Sequence, residues 1–150
     1  MIRKAKLSDV KEIQKLINGY AEERRMLSRS LNHLYEHIRE FYVYENENGE
    51  VKGCCASHIT WDNLSEIKAL AVSKDVGSKG IGRDLVNACI EDAKSLGVTQ
   101  AFALTYVDGF FVKLAFKIIS RDDLPHKVWR ECIHCPKFPD CDEIAVIKEV

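Results

Sequence analysis

Leu64-Ser65-Glu66-Ile67-Lys68-Ala69-Leu70-Ala71-Val72 runs as an extended segment into the turn Val76-Gly77-Ser78-Lys79-Gly80-Ile81-Gly82. Beyond the turn, apolar residues recur at Ile81, Leu85, Val86, Cys89, Ile90, Ala93 and Leu96, one face at the period of an α-helix. Gly97 follows where a left-handed C-terminal cap belongs. The next extended run, 101–106, is reached by a crossover long enough for parallel pairing, so residues 64–106 predict a right-handed βαβ unit. The start of such a helix carries backbone N–H groups without intrahelical partners. A glycine-rich turn in front of it lets an anion, above all a pyrophosphate, approach them.

Upstream, residues 2–5 predict a short opening strand, and Ser8-Asp9 predicts the cap of a helix whose apolar positions are Val10, Ile13, Leu16, Ile17, Tyr20 and Ala21. Ser30 predicts the cap of a second helix carrying Leu31, Leu34, Tyr35 and Ile38, which places Arg29 just before a helix start. Phe41–Glu45 and 51–60 read as strands joined by Asn46-Glu47-Asn48-Gly49, with Asn-Gly as the hairpin signal. Downstream, Asp108 predicts the cap of a short helix through Phe110, Phe111 and Leu114; 116–119 and 143–150 read as strands. No repeat, low-complexity tract or linker divides the chain, so 1–150 is expected to be a single domain whose last part, 122–150, is a cysteine-containing lobe with a closing strand.

The 22 basic and 23 acidic residues leave a net charge of -1, which argues against nucleic acid or an anionic membrane as partner. No apolar run approaches the roughly 18 residues of a membrane span, and Met1-Ile2-Arg3-Lys4-Ala5-Lys6 lacks the apolar region of a signal peptide; the expectation is a cytoplasmic protein. Without an export signal, the six cysteines are expected as thiols or metal ligands, with Cys54, Cys55 and Cys89 in the core.

Gly77-x-x-Gly80-x-Gly82 alone is a weak signal. A P-loop requires Gly-Lys-Ser/Thr, which is absent, and a dinucleotide fingerprint requires a further small residue where Leu85 stands. With strands and two helices ahead of it, residues 72–82 resemble motif A of the GNAT (GCN5-related) N-acetyltransferases, where Arg/Gln-x-x-Gly-x-Gly/Ala holds the coenzyme A pyrophosphate. Phe110-Phe111-Val112-Lys113-Leu114-Ala115-Phe116 resembles the family's second signature, usually Phe-Tyr-Glu-Lys-Leu-Gly-Phe. The departures are Gly77 in place of Arg or Gln, Phe111 in place of a tyrosine that protonates the departing thiolate in many members, and Ala115 in place of glycine, a mild change.

Met26-Leu27-Ser28-Arg29-Ser30-Leu31, Gly53-Cys54-Cys55-Ala56, the segment from Glu66 to Val72, and Leu124-Pro125-His126-Lys127-Val128-Trp129 resemble the short, single-domain N-acetylglutamate synthases within that family. The resemblance implies the mixed α/β GNAT fold, with a central sheet flanked by helices. It also implies acetyl-CoA as co-substrate, L-glutamate as acceptor in arginine biosynthesis, no metal in catalysis and a possible homodimer. Glu66 is then the expected general base, sharing by the period of two a face with Lys68, Leu70 and Val72; a solvated strand glutamate or a partner of Lys68 is the plainer alternative. Tyr106 is the candidate acid in the absence of a tyrosine at 111. Arg29 and Lys68 are the candidate anchors of substrate carboxylates, with Arg24 and Arg25 as further cations. Leu70, Ala71 and Val72 are expected along the pantetheine, and Ser78, Lys79, Gly80, Ile81, Gly82 and Arg83 at the pyrophosphate.

Cys132-x-x-Cys135 with Cys141, and His126 or His134 nearby, has the makings of a structural zinc site but lacks a second close pair; packed thiols are the alternative. Two other readings stay open: a GNAT enzyme for another small amine or a protein amine, and a non-catalytic acyl-CoA-binding domain.

Overall fold

The computed structural model describes residues 1–22, 29–77, 79–124 and 143–150. Seven strands form one sheet in the order β1-β2-β3-β4-β5-β7-β6. They are β1 (Ile2–Lys4), β2 (Phe41–Glu45), β3 (Val51–Trp61), β4 (Leu64–Val72), β5 (Gln100–Thr105), β6 (Lys117–Ile119) and β7 (Ile144–Glu149). Among the described residues four α-helices accompany them: α1 (Val10–Glu22), α2 (Leu31–Glu36), α3 (Ile81–Ser95) and α4 (Asp108–Lys113). The pairing of β4 with β5 is parallel, as the crossover through α3 requires, and the other neighbours are antiparallel.

The sheet is covered on both faces. On one, Ile81, Leu85, Val86, Cys89, Ile90 and Ala93 of α3 pack on Cys55, Ile67, Ala101 and Ala103. On the other, Val10, Ile13 and Ile17 of α1 and Leu34 of α2 cover Val43, Cys54, Ala56 and Ala71. Each such large side chain removed from water contributes roughly 1.5–3 kcal/mol. A third cluster joins Leu64, Phe102, Leu124 and Ala145. The cysteines expected in the core are there: Cys54, Cys55 and Cys89 are fully buried. Burial pushes the Cys54 thiol up to about 12, and the hydrogen bond to Cys89, with burial, holds Cys55 well above the ordinary thiol value, so both stay neutral and unreactive.

Several local expectations are corrected. Leu96 does not join the apolar face of α3 but is 68% exposed, because the helix stops at Ser95 and Leu96 is its C-cap. Asp9 caps the short 3₁₀ turn Leu7–Asp9 rather than α1, accepting from the Lys6 N–H at 2.7 Å, and its carboxylate takes both Arg3 guanidinium nitrogens at 2.8 and 3.0 Å. Asp108 is the first residue of α4 rather than its cap; the cap position is Val107, whose N–H is taken by the Thr105 hydroxyl.

Helices α3 and α4 end in the same way. Gly97 N–H bonds Lys94 C=O and Val98 N–H bonds Ala93 C=O; in α4, Ala115 N–H bonds Val112 C=O and Phe116 N–H bonds Phe111 C=O. This Schellman arrangement needs a left-handed residue after the C-cap, and Gly97 (φ 100°) and Ala115 (φ 71°) supply it. The replacement of glycine at 115 is therefore not mild, since a Cβ in that conformation costs about 1–2 kcal/mol.

Candidate active site

The parallel ladder between β4 and β5 has three rungs, Leu64–Gln100, Ser65–Ala101 and Glu66–Phe102. Among the described residues no rung follows, so the ladder ends at Glu66 and no described strand pairs with the β5-facing edge of residues 67–72. Within the same stretch the β3–β4 register slips: Ala56 faces Lys68 but Cys54 faces Ala71, so Ala69 and Leu70 together oppose Cys55. Ala69 makes this bulge with φ 54°, left-handed for a residue that has a Cβ.

The bulge overturns the face expected for Glu66. Ile67 packs under α3, but one extra residue later Leu70 and Val72 pack there too, while Ala71 packs under α1. Glu66 and Lys68 therefore share a face with Ala71, the α1 side, opposite to Leu70 and Val72. Along that face β4 carries Leu64 in one apolar cluster, then Glu66 and Lys68, then Ala69 and Ala71 against another. The two charged side chains mark a polar strip between two cores. The pantetheine candidates divide accordingly: the Ala71 side chain is committed to the core, so that residue has only backbone to offer.

The strip extends onto neighbouring elements. His58 is the cross-strand partner of Glu66. Its Nδ1 lies 2.5 Å from Glu40 Oε2, and His37 Nδ1 lies 3.3 Å from Glu40 Oε1. His33 stacks on His37 with ring centroids 4.3 Å apart. Burial works to raise the Glu40 carboxyl, but the hydrogen bond from His58 and the positive charges of His58, His37 and Lys68 outweigh it and hold the group below the ordinary carboxylate value. No local motif singled out these residues in the sequence; His33-x₃-His37-x₂-Glu40 was the available signal, and its partner His58 is supplied by a distant strand.

Arg29 precedes α2 as expected, with Ser30 as the cap accepting from His33 N–H. Its backbone is fastened to α1 from both sides: Arg29 N–H donates to Asn18 Oδ1 and its C=O accepts from Gln14 Nε2, each at 3.2 Å. Arg29 thus belongs to the α1 face of the sheet, where Glu66 and Lys68 also lie. Tyr20 at the far end of α1 donates to the Val72 carbonyl at 2.6 Å, closing that helix over the end of β4. Tyr106 follows β5 directly, across the parting strands from β4. Phe111 is buried in an edge-to-face contact with Phe110 and Phe116, centroids 5.1 Å apart in each case, and has a purely packing role.

At the glycine turn, Gly80 is the N-cap of α3 with φ 76° and ψ 14°, and it offers no side-chain cap. As a glycine, the N-cap has no side chain to take up the first N–H groups of α3, which suits them to an external acceptor. Gly77 has φ 68° and ψ -164°, a region that essentially only glycine enters, which accounts for the absence of Arg or Gln there. A cation hangs over the turn all the same: a Cβ added at Gly80 would sit 2.7 Å from an Arg83 guanidinium nitrogen. Lys79 is exposed beside it, whereas the Ile81 side chain is in the core. Ser78, Arg24, Arg25, and the cysteine candidates Cys132, Cys135 and Cys141 with His126 and His134 lie outside the described residues. No helix among the described residues is long and apolar enough to cross a membrane.

Three comparisons bear on this geometry. The acetyltransferase (GNAT) family model matches residues 7–116. An uncharacterized N-acetyltransferase of Chlorobaculum tepidum is 42% identical over 98% of this chain and 94% of its own length, and an amino-acid acetyltransferase of Mycobacterium tuberculosis is 34% identical over 87% and 76%. Among solved structures, a Mycobacterium tuberculosis protein in complex with CoA superposes with a TM-score of 0.86 at 28% identity, covering 100% of this chain and 99% of that one. The N-acetylglutamate synthase of Neisseria gonorrhoeae, complexed with coenzyme A and N-acetyl-glutamate, gives 0.89 at 28% identity over 99% of this chain and 34% of that one.

Proposed function

The chain belongs to the acetyltransferase (GNAT) family, and on that footing we propose that it carries the acetyl group of acetyl-CoA to the α-amine of L-glutamate, a step of arginine biosynthesis. It is an N-acetyltransferase of the amino-acid class; glutamate is the finer reading. The observation that carries it is the parting of β4 and β5 directly after Glu66, with the Glu66 carboxylate and the charge of Lys68 on the α1 face and the glycine turn of α3 at the other end of β4.

The residues present fit acetyl-CoA. The N–H groups at the start of α3, with Arg83 over the turn and Lys79 exposed in it, suit a pyrophosphate, Arg83 serving where the family has Arg or Gln. The β5-facing edge of residues 67–72 suits the amide-bearing pantetheine arm, and a backbone N–H near Leu70, beside the bulge, is the proposed donor to the oxyanion of acyl transfer. Glu66, directly or through a water, removes the ammonium proton so that the acceptor attacks as a neutral amine. Tyr106 returns a proton to the leaving thiolate; with a pKa of about 8.5, that thiol also departs unaided, so a buried phenylalanine at 111 is tolerable. Arg29 and Lys68 hold the acceptor's carboxylates.

Glutamate as acceptor rests on Arg29 and Lys68 sharing a face with Glu66, and on the likeness to a synthase that was crystallised with N-acetyl-glutamate. The test is an acceptor screen with acetyl-CoA that reads free thiol. L-Glutamate should give the highest kcat/KM among amino acids, polyamines and peptide amines. A better polyamine or lysine would end the synthase reading and keep the acetyltransferase; no turnover with any amine would leave only acyl-CoA binding.

A further inference from the structure

Two histidines, His37 at the C-cap of α2 and His58 in the middle of β3, converge on one carboxylate, Glu40, and a third, His33 of α2, stacks on His37. Each carboxylate oxygen of Glu40 is addressed by a different imidazole: Oε2 by His58 Nδ1 at 2.5 Å, Oε1 by His37 Nδ1 at 3.3 Å. The donor atoms of His37, Glu40 and His58 lie within 4.8 Å of one another, and these three side chains are half-buried. We propose that His37, Glu40 and His58 form a binding site for a divalent transition ion of the Zn²⁺ class.

The donor set selects the ion. Two imidazoles and one carboxylate suit Zn²⁺ and its neighbours, whereas Mg²⁺ and Ca²⁺ require mostly oxygen. Ligand atoms at about 2.0–2.1 Å from a common ion are about 3.3 Å apart along a tetrahedral edge. The His37–Glu40 separation already has that value. The His58–Glu40 contact is shorter, at a hydrogen-bond length, so entry of the ion replaces that bond with shared ligation through a small rotation of either side chain. Among the described residues three protein ligands converge, and a four-coordinate ion would take water as its fourth. The chain also braces the ligands: His37 N–H is bonded to His33 C=O, Glu40 N–H to His37 C=O, and the ring of His33 lies flat against that of His37. Lys68, whose charge reaches Glu40, opposes a cation here, and Glu66, the cross-strand partner of His58, offsets it. Nothing in acetyl transfer calls for this ion, so the site is independent of the acceptor reading. Its place beside Glu66 makes it a point at which metal would act on the enzyme.

The test must separate this site from the cysteines of residues 132–141. In a full-length Cys132→Ser/Cys135→Ser/Cys141→Ser background, metal-free protein titrated with Zn²⁺ should bind one equivalent with a dissociation constant of about 10⁻⁶ M or tighter. Co²⁺ in its place should give visible d–d bands without thiolate charge-transfer absorption. His37→Asn with His58→Asn, and separately Glu40→Gln, should weaken Zn²⁺ binding by about 100-fold or more, with circular dichroism used to confirm the fold. Should those variants lose structure, NMR of the unmutated imidazoles decides: Zn²⁺ should shift the His37 and His58 ring signals and leave other histidines in place. No stoichiometric binding in the cysteine-free background, unchanged affinity in folded variants, or unmoved ring signals would each overturn the site and leave a hydrogen-bonded triad.

Discussion

Glu66 and Phe102 form the last rung of the parallel ladder, and beyond them β4 and β5 separate. A carboxylate at the vertex of such a gap meets a substrate amine beside the thioester without crossing the sheet. Glu66→Gln keeps size and strand fit while removing the proposed base. We predict a fall in kcat of about 10² to 10⁴ near neutral pH, with acetyl-CoA binding retained and partial recovery as pH rises and more amine is already neutral. Turnover close to that of the unmodified enzyme below pH 7 would make Glu66 structural.

Gly82 lies in the first turn of α3, where an added Cβ would reach the Phe110 ring at 3.4 Å and Val72 at 3.9 Å. Gly82→Val crowds that turn and should collapse coenzyme A affinity in calorimetry while the fold survives. Gly80→Ala tests a different cause: the φ of 76° makes any side chain there cost about 1–2 kcal/mol, and the N-cap should shift. Unchanged affinity in Gly82→Val would remove the pyrophosphate from this turn.

At the end of α4, Ala115 occupies the left-handed position that Gly97 fills after α3. Ala115→Gly relieves the strain and returns some entropy to the unfolded chain, for a net gain of about 1 kcal/mol. Urea denaturation should show a higher midpoint at constant slope; a lower midpoint would mean that the Cβ contributes packing that outweighs the strain.

Asp9 is 6% exposed and bridged by Arg3. The Arg3 hydrogen bonds, helped by the Lys6 N–H, hold its carboxyl below the ordinary 3.8 against the opposing effect of burial. A depressed carboxyl contributes stability that is complete above about pH 4 and is lost as pH falls through the lowered value. Asp9→Asn should cost about 1.5–3 kcal/mol at pH 7, and the gap from the unmodified protein should close toward pH 2. An equal gap at both pH values would assign the loss to packing rather than charge.

The βαβ unit was legible because period and punctuation agree: the buried face of α3 repeats at helical spacing and Gly97 ends it. The face of Glu66 was not, because the bulge at Ala69–Leu70 inserts one residue between two alanines small enough to satisfy either parity. Neither could spacing show that β7 slides between β5 and β6, since that pairing joins residues more than twenty apart in sequence and depends on which edge is left open. The same limit hid the Glu40 cluster, whose His58 is brought in only when β3 folds against the turn after α2.

In the proposed function, glutamate recognition turns on Arg29. Its backbone is pinned on both sides to Asn18 and Gln14 of α1, so the start of its side chain is fixed relative to the helix that covers β3 and β4. A guanidinium can offer two parallel bonds to a carboxylate, and in the proposed reading that carboxylate is remote from the thioester. Arg29→Ala should therefore raise KM for glutamate strongly while leaving that for acetyl-CoA nearly unchanged. Arg29→Lys should recover only part of the loss, since an ammonium keeps the charge without the fork, a difference of about 1 to 3 kcal/mol. Glutamine removes the side-chain charge and aspartate shortens its reach, so an enzyme built for glutamate should handle both poorly. If Arg29→Ala leaves glutamate kinetics untouched while Lys68→Ala does not, the carboxylate is held from β4, and the α1 edge has another role.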